Sequence, residues 1–259
     1  MPHEFNGEAY NKASVHQKEW GNKIISTLHF KGDEKVLDLG CGDGVLTSQL
    51  AELVPQGMAV GLDSSLGMIE VASKLRRSNL EFKLQDINFL DFGEEFDLIF
   101  SNATLHWVKD HPRLLDSSFK CLKQGGMARF NFAADGNCSH FLKVIKLEMA
   151  RPEYSRYFQK FEWPWFMPTV VEYEDLAKSS KFKEVKVWGE VADRYFPDKD
   201  AMIKWIDQPS IVPLLEYVPD MEKKGFRNCV VEKILGETMQ SDGSCFETFR
   251  RINLSARKL

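Results

Sequence analysis

Residues 36–50 read VLDLGCGDGVLTSQL: a short apolar run closes on Gly40, Gly42 and Gly44, and apolar residues at helical spacing follow at once. A strand that ends in glycines and opens a helix lets backbone N–H groups and the helix dipole approach a ligand closely, because no Cβ stands in the way. The spacing is GxGxG, so the third glycine of the dinucleotide GxGxxG fingerprint falls one place early, which weakens a pyrophosphate reading. Asp38 at the strand end and Asp43 inside the turn are poorly suited to phosphate anions. They suit a ligand carrying ammonium and sulfonium charges.

From Lys35 to Phe132 the pattern predicts strands alternating with helices. KVLDL is followed by the helix VLTSQLAELV, MAVGLD by the helix SLGMIEVASKLRR with Ser64 or Ser65 as its N-cap, and LEFKL and FDLIFSN are further strands. HPRLLDSSFKCL is a helix and MARFNFA the fifth strand, a rhythm that implies a parallel sheet covered on both faces by right-handed crossovers. After Ala134 the rhythm breaks into an aromatic-rich segment ending RYFQKFEWPWFMP, too apolar for a solvated linker and readable as subdomain core or as pocket lining. The helix EYEDLAKSS and the strand FKEVKVWGEV follow, then helical DKDAMIKWI and PDMEKKGFRNCVVEKILGETM, and CFETFRRINLSARK as one last strand.

Four strand ends in succession carry polar groups: Asp38 with its glycines, Asp63, Asp86 and Asn102. Ligands of open parallel sheets bind at the carboxyl edge, where Asp63 stands at the ribose-binding position and Asp86 can accept from an adenine amino group or cap a helix. The 38 acidic and 34 basic residues give a net charge of −4 with no long run of one sign, which argues against nucleic-acid or anionic-membrane partners and for a small molecule. Cys41, Cys121, Cys138, Cys229 and Cys245 are scattered, without a CxxC pair, so neither a disulfide framework nor a zinc site is expected. No signal peptide or spanning run is legible, and the expectation is a soluble cytoplasmic protein with no metal and no membrane partner.

On these residues the chain resembles the class I S-adenosylmethionine-dependent methyltransferases: VLDLGCGDG is similar to motif I, GLDSS to the acidic end of the second strand, LQDI to the adenine loop and FDLIFSNATLHWV to the fourth-strand motif. The resemblance implies an α/β fold, a Rossmann-like, doubly wound, mostly parallel seven-stranded sheet with a helical cap insertion. It divides the chain into a cofactor-binding core with its N-terminal helix (1–134), a cap insertion (135–170), and the remainder of the sheet (171–259) with a second cap segment near 198–240. It further implies S-adenosylmethionine as cofactor and S-adenosylhomocysteine as product. Asp38, Gly40, Cys41 and Gly42 would serve the methionine and ribose portions, Asp63 the ribose hydroxyls, and Ser64 and Met68 would flank an adenine read by Asp86 and Ile87. Asn102 and Ala103 would lie beside the methyl group. Over nearly the whole chain it resembles the carboxyl methyltransferases typified by trans-aconitate and juvenile hormone acid methyltransferases, which implies that Gln17 and Trp107 hold a substrate carboxylate.

A carboxylate acceptor is ionised at neutral pH and needs no base, only orienting donors such as the Trp107 indole N–H and the Gln17 amide. An amine or phenol would need one, for which His106 and His16 are candidates. Tyr10 and Trp20 flank Gln17 on a possible closing helix, and Arg129, Arg194, Arg250 and Arg251 are available counter-ions. The competing readings are a methyltransferase for a nitrogen, oxygen or carbon nucleophile or a carrier-bound acid, a nicotinamide dehydrogenase, and a non-catalytic binding protein.

Overall fold

In the computed structural model residues 15–259 are described, with the side chains of residues 15, 16, 208 and 209 left aside. The chain runs α1 (Val15–Ile25), β1 (Lys35–Leu39), α2 (Val45–Leu53), β2 (Met58–Asp63), α3 (Leu66–Ala72), β3 (Leu80–Leu84), β4 (Phe96–Asn102), α4 (His111–Cys121) and β5 (Leu122–Ala133). It continues through α5 (Ser139–Met149), α6 (Val170–Lys178), β6 (Lys183–Val191), β7 (Arg194–Phe196), α7 (Lys199–Trp205), α8 (Val212–Leu215), α9 (Asp220–Thr238), β8 (Cys245–Glu247) and β9 (Arg250–Arg257).

Seven strands form one sheet in the order β3-β2-β1-β4-β5-β9-β6. β1 is parallel to β2 and β4, β3 to β2 and β5 to β4, while β9 runs antiparallel to β5. The register sets Asp38 beside Gly61, Asp63 beside Leu84 and Asn102 beside Asn131, so the carboxyl ends of β1 to β5 share one edge. Strand order reverses between β1 and β4, which makes that point of the edge the switch where open α/β sheets take their ligands. β1 also shows why its sequence reads as an unbroken apolar run. Leu37 and Leu39 pack on one face with α4 and α6, and Val36 packs on the other with α1 and α2.

The chain divides into two compact units: residues up to 135 with 165–190 and 251–259, and residues 136–164 with 191–250. The first holds the large sheet. The second contains α5, α7, α8 and α9 with the two-stranded β7–β8 sheet, and its core includes the edge-on pairs Phe141–Trp205 and Tyr154–Phe226, with ring centroids 5.7 and 5.0 Å apart. The aromatic run is split between them: Phe158 packs on Phe226 in the second unit, whereas Trp165 and Phe166 belong to the first.

Three sequence expectations change. The helix after β2 stops at Ala72 rather than running to Arg77. The fifth strand starts at Leu122, directly after α4, rather than at Met127. The C-terminal stretch is two strands in two sheets, because the Glu247 carboxylate turns inward, fully buried, and accepts from His140 N and Phe141 N at the start of α5 and from the adjacent Thr248 N. No helix among the described residues is long and apolar enough to cross a membrane.

Candidate active site

The glycine turn is built by backbone bonds to the neighbouring strand. Gly40 N and Cys41 N both donate to Leu62 O at 2.8 Å, and Gly44 N closes the turn on Cys41 O at 3.0 Å. Gly40, Gly42 and Gly44 have φ of +74°, +54° and +79°, a region that side chains disfavour. A Cβ on Gly40 would stand 2.0 Å from Thr104 Cγ2, and the Thr104 hydroxyl donates to Gly40 O at 3.0 Å. Cys41 is buried, and burial followed by the charges of Asp63 and Asp38 pushes its thiol well up, so it lines the turn as a neutral group.

At the end of β2, Asp63 accepts from Gly42 N through Oδ2 at 3.0 Å and from Ser65 N through Oδ1 at 2.9 Å. One carboxylate thus orders both the glycine turn and the start of α3. Of the two serines offered as caps, Ser65 takes the role by accepting from Met68 N, while Ser64 is half-buried beside it. Asp86 caps the short turn Ile87–Phe89, its Oδ1 accepting from the backbone and side-chain nitrogens of Asn88 at 2.8 Å each; Oδ2 takes no donor among the described residues. Ile87 and Met68 are buried.

Asp38 and Asp43 do not stand in the turn as two free carboxylates. Asp43 is paired with Lys18 of α1 at 2.7 Å, so its charge is neutralised within the protein. Asp38 is 2% exposed and accepts from the Thr47 hydroxyl at 2.7 Å. Burial pushes its carboxyl up to about 7, against the Thr47 bond, with the charge of Asp63 adding to the rise. The folded-state pKa lies above the ordinary 3.8, so the native state holds this proton more tightly and the group's contribution to stability falls as pH rises from about 4 to 7. A cation bound nearby favours the carboxylate. S-adenosylmethionine binding is therefore expected to strengthen as pH rises toward 7 and to release up to one proton near pH 6, read by calorimetry in two buffers of different ionisation enthalpy. Equal proton release from Asp38→Asn would refute this.

At the end of β4, Asn102 is buried; its Nδ2 donates to Gln17 O at 2.8 Å, which fixes the amide orientation and leaves Oδ1 buried without a partner. Ala103 adopts a left-handed φ of +59° and donates its N–H to Asn131 O at 2.7 Å. Gln17 Oε1 is likewise buried and unpartnered. The helix that carries Gln17 is docked by Asn102, by Lys18 on Asp43, by Gly21 against Leu46, by Lys23 with Glu190, and by Trp20 stacked 4.4 Å from Arg251. His16 and Tyr10 lie outside the residues whose side chains are described.

His106 and Trp107 sit on the single turn Leu105–Trp107, with Trp165 edge-on to Trp107 at 5.6 Å. Nδ1 of His106 is closed off from solvent without a partner, and burial, then the charge of Arg251, pushes the imidazole down to about 3. Such a group stays neutral at physiological pH and accepts a proton weakly, which counts against His106 as general base. The candidate counter-ions are engaged elsewhere: Arg129 holds Asn253, Arg250 pairs with Asp193, and Arg251 is clamped on Asn131 Oδ1 at 2.6 and 2.9 Å. Arg194 lies on β7, in the other unit. Lys18, Thr47 and Thr104 were not singled out in the sequence. Thr104 alone carried a local signal, as a hydroxyl directly after a rim strand.

The edge between β1 and β4 offers a cradle without Cβ atoms at Gly40 and hydrogen-bond acceptors at Asp63, Asp86 Oδ2 and Asn102 Oδ1. A ligand whose polar edge consists of hydroxyls, an amine and an ammonium fits that set, and an adenosyl sulfonium amino acid is such a ligand. A family model described as "Methyltransferase domain" matches residues 30–149. The chain belongs to the class I S-adenosylmethionine-dependent methyltransferases, enzymes whose cofactor is S-adenosylmethionine. Trans-aconitate 2-methyltransferase of Deinococcus radiodurans is 30% identical over 206 residues, 78% of this chain and 79% of that one. Malonyl-[acyl-carrier protein] O-methyltransferase 1 of Ilyobacter polytropus is 32% identical over 157 residues, 60% of this chain and 58% of that one. The solved structure of phosphoethanolamine N-methyltransferase 2 of Haemonchus contortus superposes with a TM-score of 0.62 at 18% identity, over 97% of this chain and 56% of that one, a likeness of fold alone.

Proposed function

We propose that this methyltransferase forms methyl esters of a small carboxylic acid. The observation that carries the reading is His106 beside Trp107: its Nδ1 is closed off from solvent and burial holds its imidazole down, so among the described residues this candidate base is a weak one, which suits an acceptor that arrives already ionised, as a carboxylate does. Two relatives are named for carboxylic substrates, trans-aconitate and a carrier-bound malonyl group, which supports the same chemistry.

S-adenosylmethionine supplies a methyl group on a sulfonium centre. In this reading Asp63 would accept hydrogen bonds from the ribose hydroxyls, Asp86 would accept from the adenine amine beside Ile87, and Ser64 and Met68 would flank the ring. The Gly40–Cys41–Gly42 backbone would hold the methionine portion, and Asn102 and Ala103 would stand on the side of the methyl. Trp107 and Gln17 would hold one oxygen of the acceptor carboxylate and leave the other free to take the methyl group, with Gln17 placed by the docking of α1 on Asn102. The free cysteines Cys41, Cys121, Cys138, Cys229 and Cys245 support a reducing compartment, the cytoplasm.

A panel of small carboxylic acids, amines and phenols, incubated with the enzyme and S-adenosylmethionine and followed by mass spectrometry, tests the reading. The expected product is a base-labile methyl ester of an acid. N-methyl or phenol ether products without any ester would overturn it.

A further inference from the structure

The turn that presents Trp107 has little to hold it by itself. Its own backbone bonds are Trp107 N to Thr104 O at 2.9 Å and Val108 N to Leu105 O at 3.0 Å, one short turn that would fray in isolation. Its geometry is set from elsewhere in the same unit. His111 Nε2 lies 3.0 Å from Leu105 O and Nδ1 lies 3.1 Å from the Tyr173 hydroxyl, and both residues are 0% exposed. A carbonyl oxygen can only accept, so Nε2 carries the proton; Nδ1 is then an acceptor and the Tyr173 O–H donates to it. The ring is wedged among Phe132, Phe166 and Tyr173, with centroids 5.3, 4.6 and 5.3 Å away. Phe166 N in turn donates to His106 O at 2.7 Å, so the turn is gripped on two successive carbonyls.

We propose that His111, locked in its Nε2–H tautomer by Tyr173, is a positioning residue that sets the Leu105–Trp107 turn and through it the Trp107 indole for methyl transfer. The proposal rests on the reading of Trp107 as an acceptor-holding residue. Burial holds His111 down to about 4, chiefly by desolvation, so the imidazole is neutral throughout the working pH range and the tautomer is not lost by protonation. The arrangement leaves no ring nitrogen unsatisfied, whereas removal of the tyrosine O–H leaves Nδ1 buried and unpaired and frees the ring to adopt the other tautomer. Neither residue would touch the acceptor or the cofactor.

The test compares Tyr173→Phe, which keeps the ring contacts, His111→Leu, which keeps apolar volume, and His111→Gln, whose amide can donate to Leu105 O in place of Nε2–H. In 15N-labelled protein the Trp107 indole resonance, assigned by its disappearance in Trp107→Phe, is expected to shift in Tyr173→Phe and His111→Leu and to return toward its original position in His111→Gln. The kcat on the fastest acid of the panel should fall about ten- to hundredfold in the first two and largely recover in the third, with S-adenosylmethionine affinity within about twofold. An unmoved indole resonance in Tyr173→Phe, or His111→Gln behaving as His111→Leu, overturns the proposal while leaving the acceptor reading in place. An unchanged kcat in Trp107→Phe removes the Trp107 role itself, whatever the other variants do.

Discussion

Asp63→Ala is expected to weaken S-adenosylmethionine binding by at least about a hundredfold, with methyl transfer lost at ordinary cofactor concentrations. Each charge-assisted hydrogen bond from a ribose hydroxyl to a carboxylate is worth about 1.5–3 kcal/mol, and two of them make the roughly 3 kcal/mol or more that a hundredfold requires. The residue has a second function that raises the loss. Oδ2 holds Gly42 N at 3.0 Å and Oδ1 holds Ser65 N at 2.9 Å, so the alanine variant also releases the glycine turn and the entry to α3. Asp63→Asn separates the two effects, since its amide oxygen keeps one backbone bond while one acceptor becomes a donor. Calorimetry should rank wild type above Asn above Ala, and a dissociation constant for Asp63→Ala within about threefold of wild type would exclude Asp63 from the site.

The sheet was legible because its strands are buried on both faces. Val36 packs to one side and Leu37 with Leu39 to the other, so β1 appears as an apolar run that only a glycine ends. The polar edge was legible for a related reason: a group at each strand end stands out against such runs, and register brings Asp38, Asp63 and Asn102 to one side. What stayed hidden depends on contacts distant in sequence. Nothing local to CFETFRRINLSARK says that Glu247 turns inward to cap a helix more than a hundred residues earlier, and that contact is what divides β8 from β9. The gathering of residues 136–164 with 191–250 into one unit is hidden in the same way.

Charge was the least legible property of the site. Asp38 and Asp43 look alike in the sequence, yet one is a buried carboxyl pushed up to about 7 and the other an ion pair with Lys18. A cationic ligand still suits the site, although the folded protein does not present two full negative charges there. His106 is a parallel case. Its neighbour Trp107 made it a candidate base, but the enclosure of its Nδ1 and the nearby Arg251 guanidinium, which come from the fold, hold its imidazole down.

Gly40→Ala is expected to destabilise the protein by about 3–5 kcal/mol and to abolish cofactor binding with it. A left-handed alanine costs about 1 kcal/mol, overpacking adds about 1–3, and the loss of a hydrogen bond adds about 1. At Gly40 all three apply: φ is +74°, the new Cβ would sit 2.0 Å from Thr104 Cγ2, and the Thr104 hydroxyl could not keep its 3.0 Å bond to Gly40 O. Urea denaturation separates the contributions when the substitution is repeated in a Thr104→Gly background, where the steric part disappears and only the backbone cost of roughly 1 kcal/mol remains. A Gly40→Ala variant as stable as the wild type would mean that the turn can relax around a side chain. In that case the absence of a Cβ at this position serves the ligand and not the fold, and the cofactor affinity of the same variant becomes the direct measure of how closely the backbone must be approached.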